Sequence, residues 1–146
     1  LFSAWVVGRL DEIPAETRKD AIERFQALQE WWMSQDWHSQ RTQVVLNDGE
    51  VVAVADLIAE SGYDVGLWDV KNTAQIETTH PLQIGGCLEL YEATYGIRPK
   101  RCGVIHVTQP KGKPARVKVV EYEPLVVLSE WRIVRDFWTL VQRRRG

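Results

Sequence analysis

A chain of 146 residues, 45% hydrophobic and 26% charged, has the make-up of one globular domain spanning residues 1–146 and excludes a disordered one. It holds neither the apolar run of roughly 18 residues that a membrane span needs nor a charged-then-apolar leader, so a cytoplasmic protein is expected, bacterial or viral in its host cell. The formal net charge of −2 conceals a polarity: residues 1–97 carry 6 Lys and Arg against 16 Asp and Glu, whereas residues 98–146 carry 12 against 4, so an acidic half suited to a cation precedes a basic half suited to a polyanion.

In chain order, Pro14, Ala15, Glu16 and Thr17 read as a helix start, with a proline and an acid in the first turn. Ile22, Phe25, Leu28 and Trp32 recur at three- and four-residue steps and predict one helix from about Pro14 to Met33, with Glu23, Arg24 and Glu30 facing outward. Gln43 to Leu46 reads as extended and Asn47-Asp48-Gly49 as a tight turn. Val51 to Ile58 is a nearly continuous apolar strand of the kind covered on both faces, interrupted by Asp56. Ser61-Gly62 turns the chain into a third strand, Val65 to Lys71, with Asp69 and Lys71 near its end. His80-Pro81 opens a helix that runs through Leu82, Ile84, Leu88, Leu90 and Tyr91 to a C-cap at Gly96.

Cys102 to Val107 reads as a strand, Gln109 to Pro114 as a basic, proline-bracketed turn, and Arg116 to Tyr122 as a half-exposed strand. Ser129 reads as the cap of a last helix whose apolar stripe is Trp131, Val134, Phe137 or Trp138, and Val141, with Arg143, Arg144 and Arg145 at its negative pole. This order of elements predicts an α/β fold, more strictly α+β: a mixed β-sheet flanked by helices. Cys87 and Cys102 fit no disulfide scaffold or zinc set and read as buried thiols. A start at Leu1 without initiator methionine is expected of a processed product or of a domain excised from a longer chain.

The chemistry lies where charges break apolar strands. Asp56 and Asp69 each do so, and the two-residue period of a strand puts Asp69 and Lys71 on one face. Burying three charges separately is costly, and the cost falls where they converge: two carboxylates offer hard oxygens to a divalent cation, and the ammonium offsets their charge and that of a bound anion. Such a site suits phosphodiester hydrolysis, since a cation there lowers the pKa of its water and the lysine orients or deprotonates that water. A bare D-x-K also fits an ordinary ion pair at a strand end, with Asp56 capping a turn. What raises it is context: a strand ending in Asp56, a turn, a second strand with Asp69 and Lys71, then a helix entered through Gln83.

In that context Ala53-Val54-Ala55-Asp56-Leu57-Ile58, Leu67-Trp68-Asp69-Val70-Lys71-Asn72-Thr73 and His80-Pro81-Leu82-Gln83 resemble the PD-(D/E)xK nuclease superfamily, particularly its RecB-like and phage-exonuclease branch, over about Gln43 to Glu121. Cys102 to Val107 fits the strand that follows the motif helix in that family, and the helix before Gln43 fits its first core helix. The resemblance implies a restriction-endonuclease-like core, with Asp56 and Asp69 as metal-binding acids, the backbone carbonyl of Val70 as a further ligand, Lys71 as the catalytic lysine, and Gln83 as the glutamine of a Q-x-x-x-Y motif that helps arrange the site and the DNA strand. It implies Mg2+ or Mn2+ as cofactor and DNA as substrate, with exonuclease action on DNA ends in replication, recombination or repair. The chain departs from the pattern in three places. Cys87 takes the tyrosine position, with Tyr91 one turn later. Ala55 stands where a proline is named. Gln40 and Gln43 occupy the region that often supplies a glutamate, and although Glu23 or Glu30 could replace it, a solvated helix position explains each more simply.

For the DNA, Lys100, Arg101, Lys111, Lys113, Arg116 and Lys118 are the candidate phosphate contacts, equally well read as a soluble surface. Of the 7 tryptophans, Trp32, Trp131 and Trp138 fit apolar stripes, and Trp37 in a polar stretch is the best candidate for a base or partner contact. His80 and His106 are read as structural. Two other readings stand beside the nuclease. One is a degenerate nuclease-fold module that binds nucleic acid or a partner without cleaving, favoured by Gln40 and Gln43. The other is an interaction module of a larger replication or recombination assembly.

Overall fold

Leu28 and Trp32, one helical turn apart, are buried on helix α1 (Lys19–Met33) and lie against one face of a five-stranded sheet. The structure is a computed structural model that describes residues 19–37, 39–61, 64–71 and 79–145; the predicted helix start at Pro14 to Thr17 lies outside them. The strands β1 (Ser39–Asn47), β2 (Val52–Ser61), β3 (Asp64–Lys71), β4 (Arg101–Thr108) and β5 (Arg116–Tyr122) follow one another in space as in sequence. β1, β2 and β3 form an antiparallel meander, β4 joins β3 in parallel, and β5 pairs antiparallel with β4. A parallel pair needs a long crossover, and helix α2 (His80–Tyr95) lies within it.

The turn between β1 and β2 closes as its composition predicts. Asn47 Oδ1 accepts the Gly49 N–H at 2.7 Å, Asp48 Oδ1 accepts those of Glu50 and Val51, and Gly49 takes φ +94°, which a side chain would disfavour. Helix α2 ends at Gly96 in the left-handed conformation, with its N–H on the Glu92 carbonyl at 2.8 Å, as the C-cap reading requires.

Helix α2 is buried on several sides because it lies between the sheet and the last helix, α3 (Pro124–Arg145). Gly85 permits the close approach: a Cβ there would run into the Val127 carbonyl oxygen and lie 2.8 Å from Trp131 Cβ. The contact is locked by Glu89, which accepts from Trp131 Nε1 at 2.7 Å and from Arg132 Nε at 3.3 Å, and pairs with Arg135. Two readings of α3 are corrected. It begins at Pro124, not at Ser129, because proline suits a first helical turn and the Glu123 carbonyl accepts the Val126 and Val127 N–H groups; Ser129 sits inside and bonds back to Val126. The predicted apolar stripe is not a buried one: the helix is anchored by Pro124, Val127 and Leu128, beyond which Phe137 and Trp138 are 67% and 61% exposed.

The core has two parts, one on each face of the sheet. Leu57, Ala59, Trp68, Ile105 and Val107 pack under α1, whereas Ile58, Val65, Leu67 and Cys102 pack under α2 and α3 with Ile84, Leu88, Tyr91, Val127 and Leu128. Consecutive residues Leu57 to Ala59 of β2 and Leu67 to Trp68 of β3 thus serve opposite layers, whereas Val52 and Val54, expected to be covered, are 62% and 48% exposed, since α1 lies over β4 and β5. Among the described residues no helix is long and apolar enough to cross a membrane.

Candidate active site

The β2–β3 ladder runs from Ser61 opposite Asp64 to Leu57 opposite Trp68 and stops there; one step further in the same register lie Asp56 and Asp69. A side chain takes over where the ladder ends, for the Val70 N–H donates to Asp56 Oδ2 at 3.0 Å. The β4 strand continues beside β3 past this point, with Lys71 opposite His106, so β3 stays fixed while β2 parts from it. The even spacing that sets Asp69 and Lys71 on one face brings Lys71 Nζ to 3.0 Å from Asp69 Oδ2.

A third strand reaches the same place. In the β1–β2 register Thr42 faces Leu57 and Val44 faces Ala55, which leaves Gln43 beside Asp56, its Nε2 donating to Asp56 Oδ1 at 3.4 Å. Gln43 has φ +52°, the left-handed region. Here the faces of the hairpin also change over. Val44, Ala53 and Ala55 pack with the α2 and α3 core, whereas Leu57, two residues beyond Ala55, packs under α1.

Burial pushes the Asp56 carboxyl up to about 7, helped by its hydrogen bond with Asp69 and by that residue's charge, against the Val70 N–H and Lys71, which favour the ionised form. A carboxyl near 7 beside a second carboxyl is an arrangement short of positive charge. Cys87 is close enough to feel both aspartates, and burial above all raises its thiol to about 11, so it stays protonated. The three charged groups open onto a cleft of about 370 Å3 whose other wall is the first turns of α2, with Gln83, Gly86 and Cys87, and beyond them Trp131 of α3.

Asp56, Asp69, Lys71 and Gln83 are therefore brought to one cleft. Val70 meets Asp56 through its N–H. Tyr91 lies in the core against Tyr95. The basic residues divide: Lys100 and Arg101 lie at the start of β4, at the far end of the sheet from Lys71, where Lys100 pairs with Asp64 at 2.9 Å and Arg101 makes two bonds to Glu121. Lys111, Lys113 and Arg116 lie at the other end of β4, the end that Lys71 shares, in the turn to β5 and at its start. Glu23 on α1 accepts from Gln109 at the entrance to that turn, and Glu23 and Glu30 line a separate groove of about 770 Å3. Trp37 is not a free contact residue. It stacks with Trp32 and meets Trp68 edge-on, and Arg101 lies over both the Trp37 and Trp68 rings.

Two half-buried carboxylates with a single lysine fit a hard divalent cation. The donors are oxygen, and the Asp56 carboxyl, raised first by its burial and then by its neighbour Asp69, is one that a cation would help to ionise. Among the described residues no cluster of three or more His, Cys, Asp or Glu forms.

No protein family and no curated protein matches this sequence. Among solved structures, a candidate exonuclease from Eubacterium rectale aligns with a TM-score of 0.64 at 12% identity, over 97% of this chain and 63% of its own. An alkaline exonuclease from Laribacter hongkongensis aligns at 0.43 and 11% identity, over 99% of this chain and 84% of its own. The chain spans less than two thirds of the length of the first protein. That likeness gives the fold: among the described residues, a mixed five-stranded α+β sheet with three helices, the architecture that the resemblance around Asp56 and Asp69 implied.

Proposed function

We propose that this chain is a Mg2+- or Mn2+-dependent deoxyribonuclease domain that hydrolyses phosphodiester bonds, acting as an exonuclease on DNA ends in replication, recombination or repair. The observation that carries the reading is the meeting of Asp56, Asp69 and Lys71 at the parting of β2 from β3, beside an open cleft. The name of the E. rectale protein supports it.

Asp56 and Asp69 would hold the cation, which when bound would lower the pKa of its water and offset charge on the phosphoryl oxygens. The Val70 N–H fixes one oxygen of Asp56, so the carboxylate does not have to be oriented as the reaction proceeds. Lys71, steadied by Asp69, presents N–H donors to the attacking water and to a non-bridging phosphate oxygen. The water oxygen bonds to phosphorus as the bond to the leaving sugar oxygen breaks, the water's proton passing to solvent and the leaving oxygen taking one from it. Gln83, exposed at the start of α2, would contact the strand as it enters the cleft. Lys111, Lys113 and Arg116 would hold phosphates at the same end of the sheet, a sequence-independent grip that weakens with salt. Lys100 and Arg101 would not share it, since each already has an acidic partner.

The second reading, a module that binds nucleic acid without cleaving it, is favoured by the two-carboxylate site, with Gln43 beside Asp56 in place of a third acid. End-labelled single- and double-stranded DNA incubated with Mg2+, Mn2+ or EDTA separates the two. The nuclease reading expects metal-dependent cleavage that falls about 10^2- to 10^4-fold in Lys71→Ala. DNA binding without cleavage in any metal establishes the other.

A further inference from the structure

We infer that Gln43 is a positioning residue for Asp56: its side-chain amide, aimed by a left-handed backbone in mid-strand, holds the carboxyl group in place for the cation. The inference rests on the metal-dependent reading of the site.

Among the described residues Gln43 is the only one other than glycine with positive φ, at +52°; Gly49, Gly96 and Gly112 are the rest. Those three occur at turns and at a helix end, where the path of the chain requires them. Gln43 is different. It lies inside β1, and the register has the same offset before and after it, so no extra residue has been inserted and no turn is made. A glutamine disfavours this region, which glycine occupies freely and asparagine tolerates. Strain of this kind persists where the surroundings impose it and something is gained by it.

The chain gains two things at this point, and they can be told apart. The backbone conformation coincides with the change of face that takes Val44 and Leu46 into the α2 and α3 core. Any residue that accepts a left-handed φ would serve that purpose. The side chain does the second: Nε2 reaches Asp56 Oδ1 while the Val70 N–H holds Oδ2, so each oxygen of the carboxyl group has its own donor. Both donors are neutral. They fix the rotation of the carboxyl group about its bond to the chain while leaving its charge for the cation, whereas a lysine or arginine there would compete with the cation for it. Glutamine is thus explained at a site where the backbone alone would favour glycine.

Titration of the full chain with Mn2+, reading free Mn2+ by electron paramagnetic resonance, tests the inference, with thermal unfolding in EDTA measured alongside. Gln43→Gly keeps the backbone path and removes the amide; Gln43→Ala removes the amide and keeps the strain. The expected result is that both variants bind Mn2+ about tenfold more weakly than the parent, although the unfolding midpoint rises for glycine and not for alanine. Parent-like Mn2+ affinity in Gln43→Gly would overturn the positioning role and leave the backbone as the whole reason for the conformation, with the metal reading intact. A parent chain that takes up no Mn2+ overturns both.

Discussion

On the α1 face of the sheet Trp68 is completely buried, ringed by Trp31 and Trp37 with Arg101 over its face, while on the opposite face the very next residue of β3, Asp69, stands in an open cleft with Lys71 and Asp56. The same eight-residue strand therefore supplies a sealed aromatic core and a polar site back to back. The difference comes from what happens to the neighbouring strand. Under α1 the packing continues through Leu57 and Ala59 to Ile105 and Val107, whereas on the other face β2 leaves the ladder at Leu57 and the gap is bridged by a carboxylate instead of a peptide group. The aromatic layer holds β3 rigid, so that Asp69 and Lys71 project from a fixed strand, as an electrostatic site must be held before it can act.

Breaking the polar face alone gives the largest expected effect. Asp69→Asn is close to isosteric and removes one of the two carboxylates along with the partner of Lys71. Cleavage of end-labelled DNA in Mn2+ should fall about 10^3-fold, while the circular dichroism spectrum stays that of the parent. Parent-like cleavage would remove Asp69 from the site. Breaking the other face should do the reverse. Trp68→Ala empties the centre of the aromatic layer and should cost about 3 kcal/mol or more in urea unfolding, with activity lost only in proportion to the unfolded fraction.

A smaller effect is expected where α2 meets α3, the wall of the cleft farther from the carboxylates. Gly85→Ala forces a methyl group against the Val127 carbonyl and Trp131, neither of which is the free end of a flexible side chain. The helices must move apart, at about 1–3 kcal/mol by urea unfolding. A neutral result would mean that α3 is less firmly seated on α2 than Glu89 and its partners indicate.

The sequence made one face easier to read than the other. Period-two charges in apolar runs placed Asp56, Asp69 and Lys71, and the cap at Gly96 and the turn at Asn47-Asp48-Gly49 followed from residue types with few alternatives. The left-handed Gln43 was illegible, because glutamine carries no signal for that conformation and its cause lies in a contact across two strands. Its polar stretch marks Trp37 as a candidate for a base or partner contact, whereas it stacks with Trp32 nearby in sequence and meets Trp68, which is distant in sequence. Spacing gives α3 an apolar stripe through Phe137 or Trp138 without saying where the surface beneath it ends, and both are exposed. For the basic residues, composition marked a positive half, but only strand register shows that Arg101 faces Gly66 and Lys71 faces His106, which separates Lys100 and Arg101 from the site.

The smallest effect is in pH, and its sign distinguishes the two faces, because the carboxyl raised toward neutrality, Asp56, belongs to the polar one. Asp56 is raised to about 7 in the fold from an ordinary value of 3.8. Between those values the folded chain holds a proton that the unfolded chain has released, so stability contributed at low pH is lost as pH rises toward 7. In EDTA the unfolding midpoint should therefore fall from pH 5 to pH 8, by less than full burial would give, since Asp56 is only half-buried and partly screened. Asp56→Asn should flatten this profile. Mn2+ should oppose it, because a cation favours the ionised Asp56 and its binding strengthens as that proton leaves. A midpoint in EDTA that rises over the same interval would mean that the fold does not raise Asp56, and the half-buried setting assigned to that carboxyl would be lost with it.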